Sequence, residues 1–214
     1  MEKLKPIFYK MKKLLFLAIL FIAQISFAQY YKAEVTLSDG SVKSGYAEPV
    51  TTEKSSINFK STLDGKKEKL ELKNLQKVNY TDEKTNKTAE VERLMASQGK
   101  MSSEAFLYLI YKGDVSVYAQ SQNFYDRTMY NNIPVTSSET SYFFRYKDEK
   151  KVTLISMNFG GPGIVVGGKS ITKKGIKEFF GDKCPKLVTA YENDEIKFKK
   201  DVSVFIDYYE KNCK

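Results

Sequence analysis

The apolar residues of this chain recur at every second position from residue 31 to about residue 158, and at helical spacing from Ile171 onward. One change of period, in that order, limits the fold more than any other feature. A period of two places alternate side chains on opposite faces of a strand, whereas a period near 3.6 gathers them on one side of a helix. Strands therefore come first, joined by hairpin-length links, and helices come last. The predicted class is α+β: a mostly antiparallel β barrel or sandwich, followed by a small C-terminal helical segment.

Individual strands follow from the same pattern. Residues 31–37 and 42–48 flank "SDGS", in which Asp39-Gly40 suits a tight turn. Residues 56–60, "KLELK" at 69–73, and 78–81 with 89–95 continue the series. "AFLYLIY", residues 105–111, is apolar on both faces and predicts the most buried strand. The turn Lys112-Gly113-Asp114 leads to "VSVYAQ". After it, residues 121–141 are polar with scattered aromatics, a long connection for a compact domain. "SYFFRYK" and "KVTLISMNF" are the last two strands. Three helices are predicted from "ITKKGIKEFF", "CPKLVTAY" and "KKDVSVFIDYYEKNC", the second with Pro185 in its first turn.

The N-terminus reads as an address. Met11-Lys12-Lys13 opens a basic segment, a 14-residue apolar run follows, and Ser26-Phe27-Ala28 offers small residues to a signal peptidase. The run is short of the ~20 residues a membrane-spanning helix needs. Residues 1–28 are thus expected to be a signal peptide, with 1–10 belonging to an upstream start. The expected divisions beyond it are an antiparallel β domain at 29–160, a glycine-rich hinge at 161–170 and a disulfide-bearing helical segment at 171–214. The chain is expected to be exported, periplasmic or extracellular, with no membrane span after cleavage.

Export changes the meaning of charge and cysteine. The formal net charge of the whole chain is +9, but beyond Ala28 there are 30 basic and 25 acidic side chains. The lysines are interleaved with acids, as on solvated strand faces, and the three arginines are Arg93, Arg127 and Arg145. No nucleic-acid partner is expected, because that footprint needs basic residues clustered on one face. Cys184 and Cys213 are the only cysteines, and an even count in an exported chain points to a structural disulfide; a redox or metal pair is the competing reading. The chain has no histidine, so Ser-His-Asp and Cys-His catalysis are excluded and the usual zinc site cannot be completed.

"GIVVGGKS", residues 163–170, matches the phosphate-loop pattern. A working phosphate loop lies in a parallel sheet of alternating strands and helices. Here the strands come first and only 44 residues follow Ser170, so no nucleotide is expected despite the pattern. Ser97 with Lys100 and Ser170 with Lys173 spell S-x-x-K, without the further elements of penicillin-recognising enzymes. The acids sit among lysines rather than in apolar stretches, and no catalytic, cofactor-binding or metal-binding residue is nominated.

"FLYLIYKGDVSVYAQ", "KEFFGDKCPKLVTAYEN" and the closing "DYYEKNCK" carry a G-x-V-x-x-Y hairpin, an F-F-x-D-x-C-P-x-L stretch and a Y-x-x-x-C end. In these motifs the chain resembles a group of uncharacterised secreted proteins of Bacteroidetes-type bacteria. The resemblance implies export and a paired Cys184 and Cys213, and no activity. The expected function is therefore an exported interaction or binding module for an unknown protein or cell-envelope ligand. Its candidate binding loop carries Phe124, Tyr125, Arg127, Met129 and Tyr130. The alternative is a carboxylate-based hydrolase acting on glycan or peptide, which needs no histidine.

Overall fold

A computed structural model describes residues 30–51, 54–120, 140–157, 168–198 and 201–214. The expected signal peptide, the five candidate loop residues and most of the expected hinge lie outside these. Ten strands are described: β1 (Tyr31–Leu37), β2 (Val42–Ala47), β3 (Ser56–Lys60), β4 (Glu68–Glu71), β5 (Leu75–Thr81), β6 (Thr88–Gln98), β7 (Met101–Tyr111), β8 (Val115–Gln120), β9 (Ser141–Tyr146) and β10 (Lys151–Met157). The helices among the described residues are α1 (Gly168–Phe180), α2 (Pro185–Glu192) and α3 (Ser203–Asn212).

The strands form one sheet in the order β10-β9-β8-β7-β6-β5-β1-β2-β3-β4, and β10 also pairs with β6. That extra pairing closes β6 to β10 into a five-stranded barrel. β6 makes the closure possible because it forks. One edge runs antiparallel to β7 throughout, from Gln98 opposite Met101 to Glu90 opposite Leu109. The other edge pairs residues 88–92 with β5, then turns residues 95–97 to β10 in parallel. Bulges in β7, between Leu109 and Tyr111, and in β10, between Leu154 and Ser156, add the bend a small ring requires. The remaining five strands extend from β6 as an open sheet.

Closure gives the sheet two different interiors. Paired residues share a face, so Leu107, Tyr118, Phe143, Val152 and Leu154, with Leu94, Ala96 and Ala105, fill the small barrel. The opposite face carries Val35, Val78, Val91, Val117 and Phe144 into the main core. There α1 lies across β10, burying Thr172, Gly175, Ile176, Phe179 and Phe180. Phe179 stacks on Tyr146 at 4.3 Å between centroids and meets Phe144 edge-on at 5.7 Å. The helical layer thus shares the core of the sheet instead of building its own. Cys184 and Cys213 are joined with Cα atoms 5.6 Å apart, tying the start of α2 to the end of α3.

Two buried tyrosines strap the chain that leaves β2. The Tyr80 hydroxyl donates to the Glu48 carbonyl at 2.9 Å and accepts the Val50 N–H at 3.1 Å. Tyr108 donates to the Val50 carbonyl at 2.9 Å. Burial drives the Tyr80 phenol far above its ordinary pKa, so the hydroxyl stays a donor.

Several expectations change. β8, not β7, is the most buried strand: all but its last residue are buried, whereas the outer-face residues Phe106 and Ile110 of β7 are only partly covered. The strand predicted at 69–73 ends at Glu71, because its partner β3 begins at Ser56 opposite Glu71 and supplies no further ladder. Residues 72–74 form a single turn of 3-10 helix instead. β6 and β7 run farther than predicted, through the polar stretch to a tight turn with Gly99 at φ +59°. Backbone pairing with a neighbour carries them on where apolar alternation stops. α1 begins at Gly168, inside the predicted hinge.

Candidate functional site

Strand β6 reads Ala-Glu-Val-Glu over residues 89–92, and its alternation sends Ala89 and Val91 into the main core. Glu90 and Glu92 must then face the other way. In an open sheet that would be solvent; here it is one end of the barrel. Leu109 and Leu107 of β7 stand opposite them. Tyr118 of β8 is fully buried, and its hydroxyl donates to Glu92 at 3.4 Å. Arg145 of β9 places its guanidinium over the Tyr118 ring, 4.9 Å from the centroid, and an Nη1 bond of 3.3 Å to Glu92. Lys77 of β5 closes the row, with Nζ 2.8 Å from Glu90.

The two glutamates are pushed apart in acidity. Burial raises the Glu92 carboxyl above its ordinary range, its hydrogen bond with Glu90 adds to this, and Arg145 offsets only part. Burial also presses on Glu90, but the hydrogen bond from Glu92 and the Lys77 ammonium outweigh it and hold that carboxyl low. The expectation that the acids sit among lysines rather than in apolar surroundings is thus corrected for Glu92: the polar face of β6 is enclosed by strands far away in sequence. Tyr118 is raised as well, by burial first and then by the Glu92 charge. A carboxyl pair in direct hydrogen-bond contact can share a proton.

Around this floor lies a ring of cations. Lys112 sits in the β7–β8 turn, while Lys147 and Lys150 sit in the β9–β10 turn. A cavity of 540 Å³ is lined by Lys77, Glu92, Arg145 and Lys150, among others, and a second of 370 Å³ by Lys112, Arg145 and Lys147. Arg145 belongs to both. Among the described residues the three ring lysines make no ion pair within 4.0 Å. Their longer-range effects are on Glu90 from Lys112 and on Asp114 from Lys147. The Arg145 Nε is buried with no hydrogen-bond partner among the described residues. The sequence reading took the lysines as dispersed; the barrel brings these together.

The other end of the barrel holds a 720 Å³ depression lined by Ala96, Ala105, Gln120, Phe143, Leu154 and Met157, with a polar rim that includes Ser97 and Lys100. The candidate loop follows Gln120 in the chain, and its residues Phe124, Tyr125, Arg127, Met129 and Tyr130 lie outside the described residues. Ser97 and Lys100 flank the β6–β7 turn, where the Ser97 hydroxyl donates to the Val152 carbonyl at 3.2 Å. Of the phosphate-loop pattern, Gly168, Lys169 and Ser170 form the first turn of α1. The strand before it, β10, lies between antiparallel β9 and a short parallel stretch of β6, unlike the alternating parallel sheet of nucleotide-binding folds. Lys169 pairs with Asp194 at 3.3 Å on the surface.

Fold and site together define a small closed β barrel with a sheet extension, a disulfide-clamped helical layer and one cationic end. Comparison of the chain with protein-family models, with curated proteins and with solved structures finds no match.

Proposed function

We propose that the chain is an exported protein, periplasmic or extracellular, that works as a binding module for a protein or cell-envelope ligand. The observation that carries this reading is the turn end of the barrel, where Arg145 lines two cavities whose other lining residues include Lys112, Lys147 and Lys150, none of them in an ion pair within 4.0 Å among the described residues. Such unspent donors on a rigid scaffold suit recognition of a ligand. Export is supported by the N-terminal signal pattern, the secreted group the motifs resemble, and the disulfide. No helix of the described residues is long and apolar enough to cross a membrane.

The test places a photo-crosslinking residue at Lys112, Lys147 or, as a control on the far turn, Leu63 in the full chain made by an exporting host. The expected result is one discrete adduct from positions 112 and 147 and none from 63, on a chain whose N-terminus is Gln29. Equal labelling from all three positions, or an unprocessed cytoplasmic chain, refutes the reading. The Glu90–Glu92 pair favours one alternative, a hydrolase that shares a proton between carboxyls, as two close carboxylates can. Turnover of a glycan or peptide by the secreted chain, abolished by Glu92→Gln, would select it.

A further inference from the structure

We infer that the turn end of the barrel is a phosphate site, with a phosphate group seated on Arg145 and enclosed by Lys112, Lys147 and Lys150. This deepens the binding reading and rests on it. The first ground is charge balance. Each acid that lines the two cavities, and Glu90 beside them, already has a cation: Glu90 has Lys77 at 2.8 Å, Glu92 has Arg145 at 3.3 Å, Asp114 has Lys214 at 2.9 Å and Glu149 has Lys183 at 2.8 Å. Asp148, at the tip of the β9–β10 turn, lines neither cavity. The three lysines are therefore left without an ion-pair partner among the described residues, Lys150 at one cavity and Lys112 and Lys147 at the other, on the two sides of Arg145.

The second ground is the state of Arg145. Glu92 takes one Nη1 hydrogen bond, the guanidinium carbon lies over the Tyr118 ring 4.9 Å from its centroid, and the Nε donor has no partner among the described residues. Ion-paired and stacked, this arginine is held in place before any ligand arrives, and a fixed guanidinium is the side chain best matched to phosphate oxygens. The third ground is direction. Donors come from the β7–β8 turn, from β9 and from the β9–β10 turn, so they approach from several sides. That arrangement suits the three terminal oxygens of a tetrahedral anion; a planar carboxylate would be satisfied by the guanidinium edge alone.

The experiment is an NMR titration of the secreted, disulfide-bonded chain with inorganic phosphate, following the Arg145 Nε–Hε resonance, which burial protects from exchange. Potassium chloride at matched ionic strength is the control. A saturating shift with a roughly millimolar midpoint is expected. Lys112 and Lys147 are exposed, so Lys112→Gln with Lys147→Gln should keep the fold and weaken binding on the order of tenfold. A second arm sediments the chain with phosphatidylglycerol vesicles or with phosphatidylcholine vesicles. Cosedimentation with the first alone, competed by phosphate, assigns the group to a lipid headgroup; a response to free phosphate alone assigns it to a soluble ligand. Non-saturating shifts matching those in chloride, or unchanged affinity in the double variant, overturn the inference. In that event discrete crosslinks from position 147 would leave the binding reading standing with a different ligand.

Discussion

Replacing Gly175 by alanine tests how closely the helical layer is seated on the barrel. In the interior of an ordinary helix this change stabilises by about 1 kcal/mol, because alanine loses less backbone freedom. At Gly175 the new Cβ would collide with the Leu154 carbonyl oxygen and lie 2.8 Å from the Ile155 Cα, both in β10. These are backbone atoms of a strand, held on the β9 side by the pairing of Leu154 with Phe143 and of Ser156 with Tyr142, so they cannot swing aside as a side chain would. The helix must retreat by roughly 1 Å to reach ordinary van der Waals separation. That retreat loosens Ile176 and Phe180, both fully buried, and Phe179. A gap of 0.5–1 Å forfeits about a quarter to a half of each dispersion contact, and overpacking of this kind costs about 1–3 kcal/mol. With two backbone clashes the cost should sit near the upper end, and the helical gain offsets part of it. The expected net loss is about 1–2 kcal/mol, read as a lower urea midpoint with an unchanged slope. Lys174→Ala, on the exposed side of the same helix, is the control. Stabilisation by Gly175→Ala would refute the close seating of α1 on β10.

Two further outcomes follow from the same structure. The Cys184–Cys213 bridge closes a sequence separation of 29 residues, so reduction, or replacement of both cysteines by alanine, should cost about 3.5 kcal/mol in denaturant unfolding, and a loss below ~1 kcal/mol would mean the bridge adds little constraint. Glu92 has a raised folded-state pKa, so its contribution is complete below the ordinary value of 4.5 and is lost as pH rises through the raised one. Glu90, held low, behaves oppositely: its contribution is present above 4.5 and lost as pH falls through its lowered value. Glu92→Gln should therefore remove a decline in stability above pH 4.5, seen as a flatter or rising curve toward neutral pH; a curve parallel to that of the parent chain would show that Glu92 titrates normally.

Much of the fold was legible because it is written between near neighbours. β1, β3 and β8 have the residues that alternation assigns them, and Gly40, at φ +84°, turns the first hairpin. The helical stripe of Ile176, Phe179 and Phe180 and the bridge between the last two helices were equally plain. The polar extensions of β6 and β7 were not, since only pairing with each other keeps them extended. The site was legible only in part. Nothing local distinguishes Glu92 from the other acids flanked by charged residues, or Lys147 from other turn lysines.

The sequence by itself determined the order of strands then helices and the division of each element into two faces, and its even cysteine count pointed to a disulfide, because period and count are local properties. Only the tertiary structure decided that β6 forks and that Lys151 of β10 lies beside Met95, closing a ring. That closure turned a polar strand face into an interior, where burial raised Glu92 and set Arg145 against it. It also set Lys150 in one cavity and Lys112 and Lys147 in another, both lined by Arg145. Which side of an alternating strand meets water depends on what the far chain covers, and no pattern of neighbouring residues specifies it.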